Sequence, residues 1–168
     1  MMKRLIYIFI IVFGMQGFAQ KFCYVDSKYI MEEIPEYGVA MEQIDELSVK
    51  WQKEIEESKK QLDELFQYYQ AEQALLSPDM KKSREEEIIR KEKDLKKLKA
   101  HYFGSEGLLY KKQQSMLKPI QDQVYNAIEE YANQYKYAIV FDKAGELVML
   151  YTEPRYNKSD EILRKLGY

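Results

Sequence analysis

Cysteine, histidine and tryptophan occur once each in the 168 residues. A single cysteine excludes a disulfide framework within the chain and any zinc site built from several cysteines. Glycine (7) and proline (4) are scarce. Neither sign of charge is in excess, with 26 basic against 28 acidic residues. At 32% charged and 46% hydrophobic, the composition fits neither wholesale disorder nor a basic domain built for polyanions. The phosphate-binding pattern G-x-x-x-x-G-K-[ST] is absent from the sequence. His101 stands alone beside a charged run, and Glu85, Glu86 and Glu87 read as solvated helix surface rather than as a paired acid and base. Catalysis, a cofactor and a metal are therefore not expected.

What is present begins with an export signal. Lys3 and Arg4 precede an apolar run from Leu5 to Phe13 that is too short to span a membrane comfortably, and Gly17-Phe18-Ala19 supplies small residues at a cleavage site. Cys23 follows Gln20-Lys21-Phe22, which is not the small-residue box of a lipoprotein. The reading is a signal peptide over residues 1–19, cleaved after Ala19 to leave a soluble chain of formal charge -4 instead of -2. Cys23 then reads as a packed strand residue rather than a reactive thiol.

Residues 36–118 read as two long helices folded back on each other. Spacings of three and four carry Tyr37, Met41, Ile44, Ser48, Trp51, Ile55, Ser58, Leu62, Leu65 and Tyr69 along one face. Leu75-Leu76-Ser77-Pro78-Asp79 breaks the pattern, with Ser77 suited to an N-cap, Pro78 to the first helical position and Asp79 to the positive end of the helix dipole. A second helix bearing Ile88, Leu95, Leu98, Tyr102 and Leu109 is expected to run to Lys118, where Pro119 forces a kink or restart. Folding at Leu76-Ser77 places Ile44 opposite Leu109, Trp51 opposite Tyr102, Ile55 opposite Leu98 and Leu65 opposite Ile88. Charge agrees: residues 36–74 hold 10 acidic and 4 basic groups, whereas residues 80–118 hold 6 acidic and 12 basic. Each exposed pair contributes only about 0.3 to 0.5 kcal/mol, so the asymmetry selects the antiparallel partner more than it stabilises it. Each arm would extend about 58 Å at 1.5 Å per residue. Gly104 and Gly107 lower helix propensity near the base and form a candidate hinge; alternatively they leave room for Trp51 or a neighbouring helix.

Residues 20–35 and 119–168 read as a small mixed body. Lys21 to Asp26 forms a strand, Ser27 caps a short helix to about Glu33, and Pro35 opens the first arm. Ile120, Val124, Ile128 and Tyr131 stripe a helix. Tyr137–Phe141 and Leu147–Tyr151 are expected as two strands of a hairpin turning at Asp142–Glu146, and Ser159 as the cap of a closing helix with Ile162, Leu163 and Leu166. The fold class is α+β, mostly α. Three short strands leave exposed edges, so Phe22, Tyr24, Ile139, Phe141, Val148 and Leu150 are candidate contacts between copies of the chain.

The order of these parts carries a resemblance. A strand, the Val25-Asp26-Ser27 turn, the Ile34-Pro35 entry, a long helical hairpin, Tyr137-Ala138-Ile139-Val140-Phe141-Asp142 and a closing Ser159-Asp160-Glu161-Ile162 helix resemble the Skp/OmpH family of periplasmic chaperones. The likeness covers the whole mature chain. It implies a homotrimer in which strands from both ends of three chains form a body, with three hairpins around a central cavity. It further implies that unfolded outer-membrane proteins are held there without ATP, as clients of a holdase. The chain departs from that family in charge: its members are strongly basic, whereas the sequence pI here is near 5.7.

Phe66, Tyr68, Lys81, Lys82 and Arg84 cluster near the free end of the hairpin and are the candidate client contacts; the three cations would equally suit phosphate head groups at a membrane surface. Nucleic acid is disfavoured by export and by the negative mature charge. The alternative to a holdase is a secreted coiled-coil structural or adaptor protein that grips one specific partner.

Overall fold

The computed structural model of the chain describes residues 20–145 and 148–168. The signal-peptide segment and Leu147 of the expected third strand lie outside them. In chain order the elements are β1 (Lys21–Val25), α1 (Ser27–Glu32), α2 (Pro35–Glu72), α3 (Pro78–Phe103), α4 (Leu108–Tyr135), β2 (Tyr137–Asp142), a short 3-10 turn (Pro154–Tyr156) and α5 (Ser159–Leu166). They fall into two compact units, one comprising the chain up to Ile30 together with Val124–Tyr168, the other Met31–Gln123.

In the second unit α2 and α3 form an antiparallel hairpin. The expected register holds where the rings report it: Trp51 stacks on Tyr102 with centroids 5.0 Å apart and planes at 7°. Ile44, Trp51, Ile88 and Leu95 are buried, as seam positions should be. Two tyrosines tie the arms across the seam. Tyr102 donates to Glu54 Oε2 at 2.5 Å and Tyr69 to Glu85 Oε1 at 2.5 Å. Each carboxylate stabilises the phenol as a donor and raises its pKa. Ser77 caps α3 as expected, accepting from the Met80 N–H at 3.3 Å, and Pro35 and Pro78 open their helices.

The second arm departs from expectation at both of its special residue types. It ends at Phe103, where Gly104 turns extended (φ -65, ψ 168), rather than at Lys118. Pro119 then lies inside α4 without ending it. Its missing N–H leaves only the Ser115 carbonyl without its helical donor, and both residues face solvent, where water replaces that bond.

In the first unit a two-stranded parallel sheet pairs Phe22 with Ile139, Cys23 with Val140, Tyr24 with Phe141 and Val25 with Asp142. The other edge of β1 is bridged by Asn157, and the Lys158 N–H donates to the Tyr24 carbonyl at 2.9 Å. Cys23, Val25, Ile30, Val124, Ala127, Tyr131, Ile162 and Leu163 are buried.

Three local features differ from those expected. Strand β2 makes no hairpin, and Val148 to Tyr151 are not in a strand. The chain leaving β2 stays tied to β1 through the Lys143 N–H on the Val25 carbonyl at 2.8 Å. Asp142 holds the turn, accepting from Ser27 N–H and Ala144 N–H at 3.0 Å each and from Ser27 Oγ at 2.6 Å. Ser27 is therefore a donor to Asp142 and not the cap of α1, because Asp26 Oδ1 receives the Tyr29 N–H at 3.1 Å. Ser159 is not the cap of α5 either. Fully buried, its hydroxyl accepts from the Asp26 N–H at 2.8 Å and donates to Asn157 Oδ1 at 2.7 Å, joining the two ends of the chain.

Candidate functional site

The free end of the hairpin is built by helix termination. The Gln73 N–H closes α2 on the Tyr69 carbonyl at 2.9 Å, the Leu75 N–H bonds to the Glu72 carbonyl at 2.8 Å, and Ser77 restarts the chain as α3. Those few bonds satisfy backbone and leave the side chains outward. Phe66, Leu75 and Met80 are exposed, Leu75 to 89%, and Tyr68 is 68% exposed. Lys82 and Arg84 face solvent while Lys81 is half-buried. Arg84 is partly neutralised by Glu87 at 2.9 Å.

Leu75 and Met80 add to the apolar surface that the sequence assigned to Phe66 and Tyr68. The signal for Leu75 was the turn itself: Leu75-Leu76 is an apolar pair at a helix-helix turn, of which only Leu76 is half-buried. A surface that combines aliphatic, aromatic and cationic groups without a cavity offers many weak contacts. It has no geometry suited to one rigid ligand.

Gly104 and Gly107 bound the interruption between α3 and α4. A Cβ on Gly104 would lie 2.4 Å from the Ala100 carbonyl oxygen, and one on Gly107 would lie 2.8 Å from that of Tyr102. Both glycines thus permit close approach of the chain to its own backbone. The neighbours are main-chain atoms, not the Trp51 ring. Trp51 closes on the same place from α2, edge-on to Phe103 with centroids 6.5 Å apart.

The candidate assembly residues are divided by their surroundings. Tyr24 is buried within its own unit, and Phe141 is half-buried. Phe22 stacks on Tyr156 at 5.1 Å yet stays half exposed, as does Ile139. Val148 and Leu150 are exposed, Leu150 to 96%. A cleft of about 360 Å³ lies beside them, lined by Phe22, Tyr24, Phe141, Met149, Tyr151 and Tyr156 among others.

Cys23 is buried in β1, and burial pushes its thiol up to about 11, with the Lys158 charge opposing. A thiol so protonated is a poor nucleophile at neutral pH. Among the described residues no group of three or more His, Cys, Asp or Glu side chains is placed to hold a metal ion, and no helix is long and apolar enough to cross a membrane.

No curated protein matches the chain. Its fold is similar to the crystal structure of a candidate outer membrane chaperone (OmpH-like) from Caulobacter crescentus CB15, with a TM-score of 0.65 over 89% of this chain and 85% of that one. At 13% identity this likeness is one of fold. The family model for outer membrane protein (OmpH-like) matches residues 21–166, which include strands, hairpin and closing helix alike, and the chain belongs to that family.

Proposed function

We propose that the chain is an ATP-independent holdase of the periplasm, reached through a cleaved signal peptide, that binds unfolded outer-membrane proteins and keeps them from aggregating before insertion. The observation that carries this reading is the free end of the hairpin, where Phe66, Tyr68, Leu75 and Met80 stand exposed beside Lys82 and Arg84. Family membership and the fold shared with an OmpH-like chaperone support it. The working form is a homotrimer joined through the exposed strands and the apolar segment around Val148 and Leu150. Its three hairpins enclose the client, bending at the interruption between Gly104 and Gly107. Lys81, Lys82 and Arg84 add attraction to acidic stretches of client and transient contact with phosphate head groups.

The test is suppression of aggregation of an unfolded outer-membrane barrel, measured against salt. Phe66→Ala with Tyr68→Ala reduces client retention modestly and leaves assembly intact, because binding is spread over many contacts. Neutralising Lys81, Lys82 and Arg84 adds a loss that is largest at low salt, since exposed charges are screened beyond about 8 to 10 Å at physiological ionic strength. Full retention in both variants moves the client surface away from the hairpin ends. Complete loss from Phe66→Ala alone points instead to an adaptor that grips one partner.

A further inference from the structure

The hairpin's two outer edges carry opposite charge on opposite sides, so one chain cannot bring them together. On the side of α2 away from the seam lies an open groove of about 870 Å³, lined by Glu42, Glu46, Val49, Lys53 and Glu57 among others. On the corresponding side of α3 lies a groove of about 310 Å³, lined by Glu86, Ile89, Arg90, Lys93 and Lys97 with Asp94. Each has an exposed aliphatic side chain in it, Val49 at 49% and Ile89 at 48%. The charges on these edges are loosely held within their own helices: Lys60 reaches Glu64, and Lys97 reaches Asp94, only at 3.9 Å.

The Trp51–Tyr102 stack sets which positions on the two edges lie level. Glu56 and Glu57 stand level with Lys96 and Lys97, Glu64 with Arg90 and Ile89, and Lys53 with Ala100. All nine are exposed. Opposite charges at equal height on opposite sides are what a repeating lateral contact requires. When copies are related by rotation about an axis along their arms, Glu56 and Glu57 of one copy meet Lys96 and Lys97 of the next at the same level, and Glu64 meets Arg90.

We propose that the acidic edge of α2 docks on the basic edge of α3 of a second copy, so that neighbouring hairpins join side to side. The occupant is a second copy because each chain supplies both halves of the contact in one register. The contact rests on the oligomer proposed above, and it adds a salt-sensitive closure of the arms that a client must compete with.

Disulfide trapping in the full-length protein tests it, with native mass measured on the same sample. A chain carrying both Lys53→Cys and Ala100→Cys places one thiol on each edge, level with one another. Under mild oxidation at low salt it is expected to form links between copies, whereas either substitution alone, having no partner thiol on the facing edge, does not. Linking falls in about 1 M salt, where the screening length is about 3 Å. Adding Glu56→Lys and Glu57→Lys suppresses it, and further adding Lys96→Glu and Lys97→Glu restores it. An oligomer by mass that fails to link, or one that links regardless of charge reversal, overturns the docking while leaving the proposed assembly standing. A monomer by mass overturns both.

Discussion

Burial of the Cys23 thiol and of the Tyr131 ring makes the alkaline side of the stability curve sensitive to two groups. Cys23 is pushed up to about 11 from 9.0 and Tyr131 to about 12 from 10.0, both chiefly by burial, with the Glu161 carboxylate adding to the rise. The folded state holds both protons where the unfolded chain has released them, so each contribution is complete below the unfolded value. Each is lost as pH climbs through the folded value. The urea midpoint of unfolding is therefore expected to fall steadily from about pH 9 to 12. In Cys23→Ala the part between about 9 and 11 should flatten, and an unchanged profile would remove the thiol from the account. Gly104 makes a second prediction at this scale. Propensity alone says that alanine there should extend the helix, but its Cβ would sit 2.4 Å from the Ala100 carbonyl oxygen. Gly104→Ala should therefore destabilise by about 1 to 3 kcal/mol in chemical denaturation, because main chain must move to admit the methyl group. A more helical, more stable variant would show that the chain at this point yields freely.

Among the elements, α4 carries a proline in its interior that the helix survives. Interior proline costs a helix about 3 kcal/mol or more, and here the carbonyl it strands faces water. Pro119→Ala should raise the free energy of unfolding in chemical denaturation by up to about 3 kcal/mol with little change in far-ultraviolet circular dichroism, since the helix already continues through the site. A marked gain in helical signal would mean that the helix is interrupted in solution. The same element shows why the hairpin was readable from sequence and its surroundings were less so. Long periodic stripes average many weak preferences, so Ile44, Trp51, Ile88 and Leu95 could be placed in a seam from spacing alone. Asp142 could not be read in that way. Its preference for a turn was legible, but its bonds to Ser27, 115 residues away, decide that β2 lies parallel to β1 and does not fold into a hairpin. Ser159 misled for the same reason: a serine at the start of a helix reads as a cap, and only the distant Asp26 N–H shows its hydroxyl occupied otherwise. At the free end, Phe66 and Tyr68 were legible as apolar residues outside the seam. Leu75 lies in a turn that no periodicity covers, and Met80 in the first turn of α3, ahead of the stripe that Ile88 begins.

For the molecule as a whole, the proposed function gives assembly and client holding to different stretches of chain, and that separation can be tested. Replacing residues 42–112 by a short linker removes the hairpin and retains both strands, α5 and the exposed Val148 and Leu150. The remnant is expected to remain oligomeric by native mass while losing retention of unfolded client. A stable monomeric remnant would place the assembly contacts on the hairpin instead.

The Ser159 hydroxyl on the Asp26 N–H spans 133 residues of sequence, and the pairing of β1 with β2 is nearly as remote. The α2–α3 hairpin, by contrast, closes around a turn of a few residues. Closing distant pairs costs chain entropy before any contact rewards it, so the two units have very different kinetic barriers. For a chain that emerges from its N-terminus, β1 appears first yet must wait unpaired until β2 and α5 arrive, while the hairpin can zip as soon as α3 is available. The exposed strand of the newborn chain is thus itself an unfolded segment in need of protection. If the hairpins hold unfolded segments as proposed, those ready earliest belong to the same protein, and each chain meets its own earlier copies as a client before it joins them as a partner.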